Sequence, residues 1–206
     1  MQLRVFWTLR AGRTAVGILG GFALGVAGYV YQTVFRNPLA SPDVIGVSSG
    51  ASAGAAAGIL FLSGAAAVTF SAFAGALAAV CLALDLSALD RAGRNSTIVL
   101  AGIAVHSLAQ TVLMCLKLTA DPERELAALE VWTMGSLASI TAGKVVLPVI
   151  TVLLCLGLLL LFRREVLMLS LGEESARSMG LDPVLWRAVL LGITTLMVAA
   201  VVSVTG

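Results

Sequence analysis

The sequence is poor in ionisable residues. It has 13 lysines and arginines, 11 aspartates and glutamates and one histidine among 206 residues, so that charged residues make up 12%, against about 25% in an average soluble domain. Hydrophobic residues reach 59%, which excludes a disordered chain, and a net charge of +2 offers no basic surface for nucleic acid. Because a soluble domain could not bury this much apolar surface, the composition predicts an integral membrane protein.

Residues that catalyse reactions or bind metals are also scarce. Cys81, Cys115 and Cys155 lie in different apolar runs without metal-ligand spacing, and we interpret them as small buried hydrophobic residues. The sequence has no G-x-x-x-x-G-K-[ST] loop and no paired-carboxylate or Ser/His/Asp arrangement in a plausible site. We therefore expect no catalytic activity, no ATP hydrolysis by this chain, and neither a metal nor another cofactor.

Long apolar runs dominate the sequence. A helix crosses the hydrocarbon core with about 20 apolar residues, and six stretches meet this requirement: 14–35, 44–62, 65–84, 97–116, 145–162 and 184–204. The alternation typical of barrel strands is absent from them. The sequence predicts an all-α fold, namely a polytopic bundle of about six membrane helices that forms a single domain over residues 1–206 and contains a long loop at 163–183.

Basic residues are distributed unequally between the connections. The connections 36–43, 85–96 and 163–183 carry the larger share, namely Arg36, Arg91, Arg94, Arg163, Arg164 and Arg177. The positive-inside rule makes this side cytoplasmic. The three arginines before the first span then lie on the outer side, against the rule, so either this topology is wrong or a segment is missing upstream.

Glycines recur every four residues in the first two spans. They are Gly17, Gly21 and Gly25 in the first span and Gly46, Gly50, Gly54 and Gly58 in the second. Residues four apart lie on one ridge of a helix, against which a neighbouring backbone can pack closely. We interpret both ridges as packing surfaces, although helices that slide during transport would use the same smooth surface.

His106 is the one ionisable residue deep in a span. Carriers driven by protons or ions place ionisable groups at mid-membrane, where these groups couple the movement of the proton or ion to that of the substrate. A single histidine is weak support for a proton relay, and a hydrogen bond to a neighbouring helix is the simpler interpretation.

Residues 170–183 carry signals for the start and the end of a short helix. Ser170 and Glu173 have the spacing of a capping box, with Ser170 as N-cap and Glu173 at the third helical position. Glu173 and Glu174 suit the positive start of this helix, and Arg177 and Gly180 suit its end. Pro183 would then start the next element. A helix of about two turns is marginal alone, so it must be held by this protein's own membrane domain or by a partner, unless it is a mere surface connector.

Four motifs resemble, in order and spacing, the FecCD family of permeases, which are membrane subunits of ABC importers for ferric siderophores, haem and cobalamin. The motifs are R-N-P-L-A-S-P-D at 36–43 followed by I-G-V-S-S-G-A at 45–51, L-A-G-I-A at 100–104, W-T-M-G-S-L at 132–137, and L-S-L-G-E-E-S-A-R-S-M-G at 169–180. The resemblance covers essentially the whole chain.

This resemblance implies a permease subunit of the cell (inner, cytoplasmic) membrane with ten helices, surrounded by lipid and paired with a second permease subunit, identical or different. Two cytoplasmic ATPase subunits would hydrolyse ATP, and an extracytoplasmic substrate-binding protein would deliver the cargo. The chain would correspond to family spans two to seven, and thus to a fragment. Nucleic acid is not an expected partner.

The resemblance also implies roles for individual residues. Segment 169–180 corresponds to the loop that the ATPase grips, with docking residues Ser170, Leu171, Gly172, Glu173, Glu174, Ala176, Arg177 and Gly180. The cytoplasmic gate would be formed by Asn37, Leu39, Asn95 and Ser96. The family's outer R-x-P-R string is Arg10-Ala11-Gly12-Arg13 here, so that Arg10 and Arg13 would meet acidic residues of the binding protein on a loop made less rigid by glycine.

Two other interpretations remain open. A secondary carrier would need a mid-membrane ionisable pair and an inverted repeat, which the six spans do not show, and a truncated product would not transport at all. Neighbouring genes for an ATPase and a binding protein would favour the importer. As cargo we expect a ferric siderophore rather than cobalamin or haem, because siderophore systems are the commoner ones in the family.

Overall fold

The computed structural model describes residues 10–62, 64–88, 95–138, 140 and 142–205 of the 206-residue chain. These residues form α-helices and contain no β-strand. The helices are α1 (Gly12–Phe35), α2 (Val47–Phe61), α3 (Ala65–Ala88), α4 (Asn95–Thr119), α5 (Glu125–Met134), α6 (Ala142–Leu161), α7 (Arg163–Ser170), α8 (Glu173–Ser178) and α9 (Pro183–Thr205). The predicted all-α bundle is confirmed.

The predicted spans correspond to apolar helices of unequal length. Within the described residues four helices, α1, α3, α4 and α9, are long and apolar enough to cross a membrane, and α6 with α7, bent by 60°, makes a fifth if the pair is one span. The predicted span 44–62 contains only the 15 residues of α2, which extend about 22 Å. It is shorter than expected because residues 42–46 form turns before α2 begins.

The backbones of α2 and α3 are in close contact. An ideal Cβ atom on Gly50 would lie 2.6 Å from the carbonyl oxygen of Gly75, and one on Gly58 would lie 2.9 Å from Oγ of Ser71. At Gly54 the added atom would collide with the carbonyl oxygen of Ser71. These three glycines of α2 therefore face α3, and a side chain at any of them would push the two helices apart.

The other glycines with the same spacing lie in different surroundings. Gly46 precedes α2 with a φ of +95°, and an ideal Cβ there would lie 3.4 Å from the main-chain nitrogen of His106 on α4. On α1, an added Cβ at Gly21 or Gly25 would meet no described atom within 4 Å. Gly46 is therefore a turn residue, and the ridge of α1 faces outward at Gly21 and Gly25, whereas an added Cβ at Gly17 would lie 3.5 Å from Leu137.

α9 is the most buried of the four long helices and packs against α1, α3 and α6. Its residues Leu190, Leu191 and Met197 are almost completely buried. The hydroxyl of the buried Tyr31 on α1 lies 3.0 Å from Oγ1 of Thr195 on α9. Because both hydroxyls are buried, this hydrogen bond satisfies two polar groups that would otherwise be costly in the core.

The interpretation of the cysteines is correct for one of the three. Cys155 is buried, but Cys81 on α3 and Cys115 on α4 are exposed. Their neighbours on the outer surfaces of these helices are exposed apolar side chains such as Leu82 and Met114, a surface that lipid would cover. An apolar run places a residue in a membrane helix, but it does not bury that residue in protein.

Candidate functional site

The fold brings the predicted site residues to opposite ends of the bundle. At one end, which we call the inner end, Arg36 lies beside Gly172, and Glu173 forms an ion pair with Arg187. At the other, the outer end, Arg13 lies beside the loop that follows α5. The 24 residues of α1 separate the two ends by about 35 Å.

A sharp bend shapes the inner end. The chain turns by 60° between α6 and α7, and Phe162 lies at this bend. The ring of Phe162 packs edge-on against Trp186 of α9, with ring centroids 5.0 Å apart. Val166 and Leu169 of α7 are buried, so that α7 is held against the bundle and leads directly into α8.

The start of α8 differs from the prediction. Ser170 is the last residue of α7, and its hydroxyl donates a hydrogen bond to the carbonyl oxygen of Leu167 at 2.6 Å. The N-cap of α8 is Gly172, with a φ of +111° and no side-chain cap, and Glu173 is the first helical residue. The predicted capping box is wrong because α7 extends through Ser170 and uses its hydroxyl.

The end of α8 has the hydrogen bonds of a Schellman motif. The amide of Gly180 donates to the carbonyl oxygen of Arg177 at 2.9 Å, and the amide of Leu181 donates to that of Ala176 at 3.0 Å. Gly180 has a φ of +82°, which glycine adopts without strain. The glycine signal therefore predicted the end of α8 correctly, and α9 begins at Pro183 as expected.

One side of α8 is packed and the other is open. Ala176 is fully buried, and Leu181, which follows the helix, is also buried. The short helix is thus held by the protein's own bundle. The side chains of Leu171, Glu174, Arg177, Ser178 and Met179 remain exposed around it. We call the four larger ones, those of Leu171, Glu174, Arg177 and Met179, the α8 face.

The described part of the predicted gate lies in the turn after α1. Arg36 ends α1 with a φ of +50°. In the turn that follows, the Asn37 side-chain oxygen accepts a hydrogen bond from the amide of Leu39 at 2.9 Å, and the Leu39 side chain is 77% exposed. α4 begins at Asn95, but the side chains of Asn95 and Ser96 lie outside the described residues. A contact between the two halves of the gate stays a prediction.

At the outer end, the two predicted docking arginines have different surroundings. Arg13 Nη2 donates a hydrogen bond to the carbonyl oxygen of Ala138 at 2.6 Å, and the neighbouring Ser136 amide donates to Thr205 at the end of α9, also at 2.6 Å. Arg13 therefore helps to hold the loop after α5 onto α1. Arg10 is exposed and remains open to a partner.

α5 is an element that the sequence interpretation did not identify. Its start is organised by carboxylates, because Glu125 accepts a hydrogen bond from the amide of Asp121 at 2.9 Å, and Asp121 accepts one from the amide of Glu123. Glu130 on α5 forms an ion pair with Lys117 on α4 at 2.7 Å. The acidic cluster at 121–125 was the available signal for a helix start.

His106 on α4 is partly buried. Its Nδ1 atom is buried without a hydrogen-bond partner within the described ranges. The described residues also contain no group of three or more His, Cys, Asp or Glu side chains that could hold a metal ion. The predicted hydrogen bond from this histidine to another helix is not formed at Nδ1.

The comparison with known proteins agrees with this arrangement of helices. Residues 1–206 match the profile of the FecCD transport family. This chain belongs to the FecCD transport family. The cobalamin import system permease protein BtuC of Halobacterium salinarum is 34% identical to it over 200 residues, 97% of this chain and 54% of that protein. The vitamin B12 import system permease protein BtuC of Shigella flexneri is 35% identical over 208 residues, 97% of this chain and 61% of that protein.

The fold is also similar to a solved structure, that of a metal-chelate type ABC transporter in an inward-facing conformation. The TM-score is 0.92 at 27% sequence identity, over 100% of this chain and 65% of that chain. The FecCD protein described here therefore spans between half and two thirds of the length of these relatives. It is a multi-pass protein of the inner membrane, as its permease homologues are.

Proposed function

We propose that this FecCD protein is the membrane-spanning part of a permease subunit in an ABC importer. The observation that carries this proposal is the match of the whole chain to the FecCD family. The inner end supports it, because α8 is a capped helix that presents an open side beside the helix bundle. A short helix with mixed charged and apolar exposed residues suits a protein partner better than lipid alone.

The ATPase subunits would dock on the α8 face and hydrolyse ATP outside this chain. Among the predicted docking residues, Leu171, Glu174 and Arg177 have exposed side chains, which would touch the ATPase directly. The remaining ones give α8 its shape and position: Ser170, Gly172, Glu173, Ala176 and Gly180. A second permease subunit would complete the translocation path for the cargo, and Asn37 and Leu39 would lie at the cytoplasmic gate of this path.

The binding protein would dock at the outer end. Arg10 is exposed there and would attract acidic residues of that partner, whereas Arg13 would act chiefly by holding the loop after α5. Charged residues at the rim of such an interface raise the association rate and orient the partner. This division of roles refines the prediction that both arginines dock in the same way.

The cargo would be a metal chelate. Two relatives with 34% and 35% identity are named for cobalamin and vitamin B12 import, and the similar solved structure is of a metal-chelate type transporter. We therefore rank cobalamin ahead of a ferric siderophore, which was expected from the sequence only because siderophore systems are commoner in the family. Uptake of labelled cobalamin by cells with the full-length protein should fall with excess unlabelled cobalamin but not with excess ferric siderophore, and the opposite competition would reverse this ranking.

Cross-linking tests the proposed docking side. In a full-length protein without its native cysteines, Leu171→Cys and Met179→Cys should each cross-link to the ATPase subunit. Leu118→Cys provides the matched control. Leu118 is 87% exposed, but it lies at the opposite end of α4 from the predicted gate residue Asn95. A cross-link from Leu118→Cys, or none from the α8 face, would contradict the proposal.

A further inference from the structure

An ion pair connects α8 with α9 at the inner end. Oε1 of Glu173 lies 2.7 Å from Nη1 of Arg187, and 18% of the Arg187 side chain and 36% of the Glu173 side chain are exposed. Charge-assisted hydrogen bonds of this length are stronger than neutral ones, and partial burial protects them from salt. Glu173 is the first residue of α8, so the pair holds the helix at its start.

A second contact reaches the same end of α8 from α1. Gly172, directly before Glu173, is buried, and an ideal Cβ on it would lie 3.0 Å from Nη1 of Arg36. Because Gly172 has no side chain, the Arg36 guanidinium can lie against the backbone at the start of α8, and its φ of +111° is a second reason for glycine at this position. α8 is therefore contacted at its start from α9 and from the end of α1.

The bundle closes this set of contacts into a ring. α1 and α9 are joined by the hydrogen bond between Tyr31 and Thr195. Arg187 and Thr195 are eight residues apart on α9, and Tyr31 and Arg36 are five residues apart along α1. α8, α9 and the end of α1 are therefore connected to one another by direct contacts.

We propose that the Glu173–Arg187 ion pair is the link through which movement of α8 is transmitted to α9. This inference rests on the proposed function and extends it, because it makes Glu173 and Arg187 positioning residues for transport rather than contacts of the ATPase. Glu173 faces α9, whereas its neighbour Glu174 belongs to the open α8 face. The two adjacent carboxylates therefore have different roles, one in coupling and one in docking.

The test compares Glu173→Ala, Arg187→Met and the double variant with the control Glu174→Ala. In vesicles that contain the full-length protein, its ATPase and its binding protein, we expect each single coupling variant to move about tenfold less cargo per ATP hydrolysed. The double variant should lose less than the sum of the two single losses, because both single variants remove the same ion pair. Glu174→Ala should lower the amount of ATPase that co-purifies with the protein but leave the amount of cargo moved per ATP hydrolysed unchanged.

A spin label at Ser178→Cys provides a readout that does not depend on transport. In the full-length protein without ATPase, the label should become more mobile in Glu173→Ala and Arg187→Met, but not in Glu174→Ala. Unchanged mobility in both coupling variants, an unchanged ratio of cargo to ATP, or additive losses in the double variant would overturn the inference. Failure of the wild type to move cargo with ATP would instead remove the proposed function, whatever the label reports.

Discussion

Glycines with identical spacing on α1 and α2 have opposite surroundings. A four-residue repeat defines a ridge on a helix, but the arrangement of the other helices decides what that ridge meets. On α2 the ridge meets the backbone of α3 at Gly54, and on α1 it meets no described atom at Gly21. The sequence could therefore predict that a close approach exists in this protein, but not which glycines make it.

A substitution at each of these two glycines tests the difference. Gly54→Leu should lower the free energy of unfolding by about 3 kcal/mol or more, because the side chain overlaps the Ser71 backbone and the helices must separate. Gly21→Leu is the matched control and should change it by about 0.5 kcal/mol or less. Thermal unfolding of the full-length protein in detergent measures both, and equal melting temperatures would show that the α2–α3 contact does not stabilise the fold.

At the scale of the element, α8 shows which local signals are reliable. The end of α8 at Gly180 is made by a few consecutive residues, and the sequence therefore predicted this glycine cap correctly. The capping box at Ser170 failed because the same hydroxyl serves α7, and no local pattern shows that α7 continues to this residue. The ion pair between Glu173 and Arg187 joins residues 14 positions apart across a turn, so only the packing of α8 against α9 reveals it.

Breaking α8 should abolish assembly with the ATPase. Ala176→Pro removes the hydrogen bond that the Ala176 amide donates to Gly172 at 2.9 Å, and its ring clashes with the preceding turn. Together these effects cost about 3 kcal/mol, which a six-residue helix cannot offset. Co-purification of the ATPase with the full-length variant should fall to background. Ser178→Ala, an exposed position on the same helix, should keep normal recovery, and normal recovery with Ala176→Pro would disprove the role of α8.

The two outer arginines should respond differently to charge reversal. Arg10→Glu should slow capture of the binding protein, most strongly at low salt, and leave the melting temperature unchanged, because Arg10 is exposed. Arg13→Glu should also lower the melting temperature, since it removes the hydrogen bond to Ala138. Surface plasmon resonance and thermal unfolding separate these effects, and an identical response of both variants would disprove the division of roles.

For the whole molecule, hydropathy and charge were sufficient to predict an all-α membrane bundle. The basic residues of the connections further predicted that successive spans alternate in direction. For α1 and α9 the structure agrees with this alternation, because Arg36, Gly172 and Arg187 lie at one end and Arg13, Ala138 and Thr205 at the other. The short α2 and the bend between α6 and α7 were not predicted. Both depend on turns at Gly46 and Phe162 that composition does not distinguish from continuous helix.

An ABC importer and a secondary carrier differ in the energy source that drives transport. Both ion pairs found in the described residues, Lys117 with Glu130 and Glu173 with Arg187, include residues near helix ends or in connections. No described pair at mid-membrane could couple an ion to the cargo. In the importer that we propose, ATP hydrolysed by a partner on the α8 face would drive the movement of the cargo.

The most direct measurement is cobalamin uptake by vesicles that contain the full-length protein, its ATPase and its binding protein. We predict that uptake requires ATP, persists when a proton ionophore dissipates the gradient, and is lost with Ala176→Pro. Uptake that proceeds without ATP and stops on addition of the ionophore would contradict the account, because it would show that the protein is a secondary carrier.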